Sequence, residues 1–218
     1  MTDKMNAKTV EEVAEEQSFL VKNWKKISIC LGAILVVVLG VYGYCKLIAE
    51  PREQAATEAL AEGQQLISQG EYEKAIASLK KEVEEYGSTQ SGNLAQLYLG
   101  IAYYNTGKYT EAIAALEDYS KVGDNVVDPA AIAALGNCYA CTKNYDKAVE
   151  KLVSAAELAN SVNLSPIYYI QAGEICEFGQ NNNEKALELY NKVKSAYKTS
   201  YQVKSGEIDK YIERASVK

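Results

Sequence analysis

Cys138 and Cys141, spaced as Cys-x-x-Cys, are the residues of this chain whose type and separation could carry chemistry. Thiol–disulfide exchange needs a thiolate, and a thiolate forms near neutral pH where a helix N-terminus, a cation or a metal lowers the thiol pKa. Here the pair falls in the middle of a predicted helix. Cys138 also stands where a similar segment of this chain has Ala. The plainer reading is a small buried side chain at Cys138 and a surface-lining one at Cys141. A thiol redox protein using Cys138 and Cys141 is the alternative. A structural zinc site takes four ligands, and only these two lie close together in sequence. The five Cys do not form an even disulfide framework.

The chain has no His, which removes Ser–His–Asp and Cys–His catalysis and the commonest metal ligand. No enzymatic activity, catalytic residue, metal or cofactor is expected. The 218 residues carry 23 Lys and Arg against 29 Asp and Glu, a net charge of −6. Phosphate contacts need a basic face, so no nucleic-acid partner is expected. Residues 1–26 balance five basic against five acidic groups, so the acidic excess lies further along the chain, as a solvated surface.

Ile27 to Tyr44 reads ISICLGAILVVVLGVYGY, 18 residues without a charge. Extended to Cys45, such a helix is about 28 Å long, near the hydrocarbon thickness of a bilayer. Trp24 at one end and Tyr42 and Tyr44 at the other are interfacial anchors. The run is longer than the h-region of a signal peptide and no small-x-small cleavage site follows it, so it reads as an uncleaved transmembrane anchor. Lys22, Lys25 and Lys26 precede it and Lys46 and Arg52 follow, which places the N-terminus in the cytoplasm and the bulk of the chain outside. A capping box, Thr9-x-x-Glu12, with Val10, Val13, Leu20, Val21 and Trp24 roughly on one side, reads as the start of a short surface helix, with a frayed tail as the alternative. Pro51 is expected to break or kink the chain after the anchor.

Four tetrads ending in alanine follow: Tyr72–Ala75, Tyr109–Ala112, Tyr145–Ala148 and Asn183–Ala186, with Ala-to-Ala spacings of 37, 36 and 38. Gly63, Gly100 and Gly136 each lie twelve residues before their alanine, and Gly173 lies thirteen before, which places one inserted residue in the turn Gln180–Asn183. Each unit reads as a helical hairpin. Leu97, Leu99, Gly100, Tyr103 and Tyr104 recur at helical spacing, Gly107 ends that helix, and Tyr109, Ala112, Ile113 and Leu116 form the stripe of the next. Gly100 against Ala112 allows close approach of the two helices. Asp128-Pro129 and Ser165-Pro166 are predicted N-caps followed by Pro at the first helical position. Ile208, Tyr211, Ile212 and Ala215, at i, i+3, i+4 and i+7, make a closing helix.

Residues 99–112, LGIAYYNTGKYTEA, resemble the tetratricopeptide repeat pattern L-G-x-x-Y-x-x-x-G-x-Y-x-x-A. Residues 135–148 match it with Lys143 in place of the turn glycine. Gly63, Gly70, Tyr72, Ala75 and Leu79 are a fair match. The last unit has Cys176 where Tyr is expected and Asn183 in place of the second Tyr. The resemblance implies an all-α chain: one transmembrane helix, a right-handed tetratricopeptide-repeat solenoid of about four helical hairpins, and a C-terminal capping helix. The expected boundaries are 1–26 cytoplasmic, 27–45 transmembrane, 46–51 linker, 52–204 repeats (units near 56–89, 93–126, 129–162 and 166–200) and 205–218 capping helix.

The resemblance also implies a concave groove that takes proteins or extended peptides. The positions that line it in the family correspond to Leu97, Ile101, Tyr104 and Asn105 in the second unit, Ala133, Asn137 and Cys141 in the third, and Ile170 and Glu174 in the fourth. Glu177 and Phe178 extend the fourth set, making that end acidic. The Lys and Arg set with which some repeat clamps hold a C-terminal carboxylate is absent. Anchor and repeats together resemble the bacterial YfgM-like family. That likeness implies a single-pass protein of the bacterial inner membrane with a periplasmic repeat domain, ancillary to the Sec translocon and to periplasmic chaperones. A scaffold for another cell-envelope assembly complex is the alternative.

Overall fold

The computed structural model of the chain describes the backbone of residues 2–217 and the side chains of residues 22–217. It divides at Arg52 into an N-terminal part, Met1–Arg52, and a repeat body, Glu53–Lys218. All regular structure among the described residues is helical.

The N-terminal part is built on α1 (Thr2–Tyr44), followed by a π turn (Cys45–Ala49). Its apolar residues from Ile29 to Val41 are exposed to the surroundings, and the helix is long and apolar enough to cross a membrane. Thr9 is already inside α1, so no helix starts there. The side chains of Thr9, Glu12, Val10, Val13, Leu20 and Val21 lie outside the described residues. The break expected at Pro51 does not occur. Pro51 is the second residue of α2 (Glu50–Ser68), directly after the π turn, and the chain is helical on both sides of it. The Glu50 N–H reaches back five residues to the Cys45 carbonyl in the widened turn.

The repeat body stacks helical hairpins. These are α2 with α3 (Tyr72–Tyr86), α4 (Gln90–Asn105) with α5 (Tyr109–Asp118), α6 (Val127–Cys141) with α7 (Tyr145–Ala159), and α8 (Ser165–Glu174) with α9 (Asn183–Ala196). A short α10 (Tyr201–Lys204) leads to α11 (Glu207–Ser216), which packs on α9 and buries Ile208 and Ala215. One apolar cluster runs from Leu60 to Ala148 and a second from Ala133 to Ala215, so each hairpin completes its neighbour's core.

The four tetrad alanines, Ala75, Ala112, Ala148 and Ala186, are fully buried. The glycines of the first helices face a different residue from the one expected. A Cβ on Gly100 would lie 2.5 Å from Leu116 Cγ, not against Ala112, and one on Gly136 would lie 3.0 Å from Leu152 Cγ. Gly63 meets Leu79 in the same way, and Gly173 meets the ring of Tyr190. Each partner stands one helical turn past its alanine, so the large residue of the second helix seats in the gap that the glycine leaves. Gly100→Leu is therefore expected to lower stability by about 1–3 kcal/mol through overpacking against Leu116, measured as a loss in melting temperature. An unchanged melt would show that the interhelical gap is slack.

The hairpin turns share a left-handed residue five positions before the alanine: Gly70, Gly107, Lys143 (φ 62°) and Asn181 (φ 53°). The turn of the last hairpin is thus regular, and the inserted residue is not in Gln180–Asn183. It is absorbed one step earlier, where α8 opens into a π turn (Ile175–Gly179). A π turn adds one residue to a helix while keeping its hydrogen bonds, which shifts every following side chain around the axis. Counted from the turn, Cys176 aligns with Cys138 and Ala102, all fully buried. Glu177, not Cys176, then takes the tyrosine position of Tyr103 and Tyr139, and Phe178 aligns with Ala140 and Tyr104.

The residues before the two prolines are not caps either. Asp128 turns back onto the loop before α6 and accepts from the Tyr119 hydroxyl (2.7 Å) and from the Val122 and Gly123 N–H groups (2.9 and 2.8 Å). Asp124 does the capping, accepting from Val126 and Val127 N–H. The Ser165 hydroxyl donates to the Ala156 carbonyl at 2.7 Å and accepts from Ser161 N–H. Both residues are buried and hold the connection between hairpins rather than the helix that follows.

Candidate functional site

A concavity of about 370 Å³ in the repeat body is lined by residues of three consecutive hairpins. Tyr104 comes from the C-terminal end of α4. Asn137, Ala140 and Cys141 come from the last turn of α6, and Tyr145 from the start of α7. Gln171, Glu174, Ile175, Phe178 and Gly179 come from α8 and its π turn. The repeat alignment explains the hollow. Tyr104, Ala140 and Phe178 hold the same position in successive hairpins, so two aromatic walls stand on either side of an alanine floor. The inserted residue brings Phe178 into this register.

The walls are supported from behind. Tyr104 packs edge to face against Tyr109, with ring centroids 5.7 Å apart. Burial and the neighbouring Cys141 thiol raise the Tyr104 pKa, keeping its hydroxyl a neutral donor. A Cβ on Gly179 would lie 2.8 Å from the Tyr145 ring, so only glycine lets the π turn close down on that ring. Phe178 is 56% exposed and Tyr104 37%, so both present ring surface to solvent. The Arg214 guanidinium of α11 sits 4.8 Å from the Phe178 ring centroid and 5.0 Å from that of Tyr211.

Of the residues expected to line a groove, Tyr104, Asn137, Cys141 and Glu174 are brought together here. Leu97, Ala133 and Ile170 are not available: they are 6%, 4% and 6% exposed and belong to the two cores. Each sits on a helix flank that packs into the core shared with neighbouring elements. Ile101 is half-buried against the first cluster. Asn105 is exposed, but its amide donates to its own helix at the Ile101 carbonyl (2.8 Å). Gln171, Tyr145, Ile175 and Gly179 had not been singled out from the sequence. Tyr145 is visible as a tetrad residue; Ile175 and Gly179 depend on where the inserted residue falls, and Gln171 lies ahead of it.

The acidic end expected from Glu174 and Glu177 is largely neutralised. Glu177 is 1% exposed and accepts from Arg214 Nε and Nη2 (3.0 and 2.8 Å) and from the Tyr190 hydroxyl (3.2 Å). Glu174 keeps a longer contact with Arg214, 3.8 Å. Burial raises the Glu174 pKa and Arg214 counters it.

Cys138 is fully buried, and burial pushes its thiol up to about 12, away from the thiolate that exchange chemistry requires. Cys141 is exposed at the rim. Among the described residues no group of three or more His, Cys, Asp or Glu is placed to hold a metal ion.

A family model described as "Tetratricopeptide repeat-like domain" matches residues 17–164, which take in the apolar run and the first three hairpins. No curated protein matches the chain. Two crystal structures of nearly identical TPR-like repeats, from a Podosopora anserina protein named for the kinesin light chain, are similar in fold. Each is 15% identical, with a TM-score of 0.56; both cover 76% of this chain, and 94% and 95% of their own chains are covered. The crystal structure of MamA is 23% identical with a TM-score of 0.52, covering 71% of this chain and 92% of its own. At such identities the likeness is one of fold.

Proposed function

The chain belongs to the tetratricopeptide repeat-like domain family, and we propose that it is a membrane-anchored scaffold that holds an extended segment of a partner protein in the concavity between Tyr104 and Phe178. Families of this repeat are typically non-enzymatic protein-interaction modules. The observation that carries the reading is the pair of partly exposed aromatic rings, Tyr104 and Phe178, lining one hollow together with Ala140, since exposed aromatic anchors beside a hollow dominate binding energy at protein interfaces. Tyr104→Ala is expected to weaken partner capture by about 2 kcal/mol, with helicity and melting little changed. A Tyr104→Ala protein that unfolds, yet binds normally per folded molecule, would make Tyr104 a core residue instead.

The anchor reading rests on α1, whose apolar stretch is followed by only two cations before the repeat body and directly preceded by Lys22, Lys25 and Lys26. The N-terminus then lies in the cytoplasm and the repeats outside the inner membrane, in the periplasm. Protease added to spheroplasts should degrade the repeat body while leaving the N-terminal segment; protection of the repeats would reverse the orientation. The likeness to the YfgM-like family makes the Sec translocon and periplasmic chaperones the first partners to test. A photo-crosslinking residue at position 104, followed by mass spectrometry, distinguishes them from components of another envelope assembly.

A further inference from the structure

Among the described residues that line the concavity, Glu174 is the one charged side chain. Gln171 adds a second acceptor: its Oε1 is buried and has no hydrogen-bond partner among the described residues. A buried acceptor left unmade costs stability, so a ligand that supplies a donor there recovers a full hydrogen bond. The nearby cation, Arg214, is already committed. Its guanidinium holds Glu177, rests against Phe178 and Tyr211, and leaves Glu174 at 3.8 Å. The concavity therefore offers aromatic faces, one carboxylate whose contact with Arg214 is long and one carbonyl without a partner, with no cation among its lining residues. That combination rejects a carboxylate and accepts an ammonium or guanidinium on an apolar stem, because the rings take the stem and attract the charge.

We infer that the preferred occupant of the concavity is an extended peptide segment carrying a Lys or Arg beside an apolar residue, its cation held by Glu174 between Tyr104 and Phe178 and a backbone N–H donated to Gln171. The inference rests on the peptide-binding reading and adds the sign of charge that is selected.

The test uses the full chain in phosphatidylcholine nanodiscs, with empty discs as the blank. The probe is a fluorescent ten-residue peptide with a central Leu-Lys-Val among Gly and Ser, blocked at both ends and followed by fluorescence anisotropy. Companion peptides replace the lysine with norleucine or glutamate. The lysine peptide is expected to bind about tenfold more tightly than the norleucine peptide, the worth of one charge-assisted hydrogen bond, and the glutamate peptide more weakly still. Glu174→Gln should erase the difference between the lysine and norleucine peptides without changing the melt, since Arg214 keeps Glu177. Gln171→Leu should weaken all three severalfold while raising the melting temperature, a combination that a purely structural glutamine would not give. Equal binding of the lysine and norleucine peptides overturns the charge selection and leaves the peptide-binding reading standing. Binding that persists unchanged in Tyr104→Ala overturns both, and no binding of the lysine peptide overturns the inference.

Discussion

Arg214→Ala should cost about 3 kcal/mol of stability and loosen the C-terminal end of the repeat body. The magnitude follows from what it leaves behind: Glu177, 1% exposed, would keep only the Tyr190 hydroxyl as a partner. Removing one member of a buried ion pair typically costs several kcal/mol, because the remaining charge is stranded in a low-dielectric site. Arg214 is itself partly exposed, which places the expected value at the low end of that range. Amide exchange should accelerate first in α11 and α9, since Arg214 is the charged link between α11 and the π turn. Pairing the change with Glu177→Gln distinguishes stranding from simple loss of contacts. In that background Arg214→Ala should cost less than half as much. Equal costs in both backgrounds would mean that the ion pair contributes nothing and that packing of Ile208 and Ala215 alone holds α11.

Glu82 should make the protein more stable on mild acidification. It is 2% exposed on α3, neither carboxylate oxygen has a hydrogen-bond partner among the described residues, and burial pushes its pKa from 4.5 up to about 7. The folded state therefore binds this proton more tightly than the unfolded chain does. Its contribution is fully present below about pH 4.5 and is lost as pH rises through about 7, a span worth roughly 3 kcal/mol. Asp128 acts in the opposite sense. Burial favours its neutral form, but hydrogen bonds from Tyr119, Val122 and Gly123 outweigh this and lower its pKa, so its stabilisation is lost in stronger acid. Melting temperature should rise by several degrees between pH 8.5 and 5.5, and Glu82→Gln should raise stability at pH 8.5 and flatten the profile. A wild-type profile that is flat, or one that Glu82→Gln leaves unchanged, would mean that Glu82 is solvated.

The hairpins were legible because their determinants are local. Tetrad alanines, turn glycines and apolar stripes recur at fixed spacing, and each marks a place where two helices of one hairpin touch. Gly100 was correctly placed at such a contact, although its partner is Leu116, a turn beyond the residue expected. The groove was less legible because burial on the outer flanks of a first helix is decided by the neighbouring hairpin. Leu97, Ala133 and Ile170 occupy positions that face a groove in the pattern, yet the adjoining unit covers them. Glu177 could not be read as buried from its own surroundings, since its partner Arg214 lies 37 residues further on. The spacing of Gly173 to Ala186 announced one extra residue but not its location. A loop and a helix can both absorb an insertion, and only the positive φ at Asn181 fixes the choice.

That single extra residue makes the last hairpin non-interchangeable. The second and third hairpins share one register, and swapping or duplicating them preserves every alignment from glycine to turn. The fourth would not survive the same treatment. A consensus hairpin in its place restores tyrosine where Glu177 stands, orphans Arg214 and removes Phe178 from the register of Tyr104. The array is thus open to lengthening by whole repeats ahead of α8 and closed behind it: an engineer who wants a longer scaffold must insert upstream and leave the terminal cassette, α8 to α11, intact.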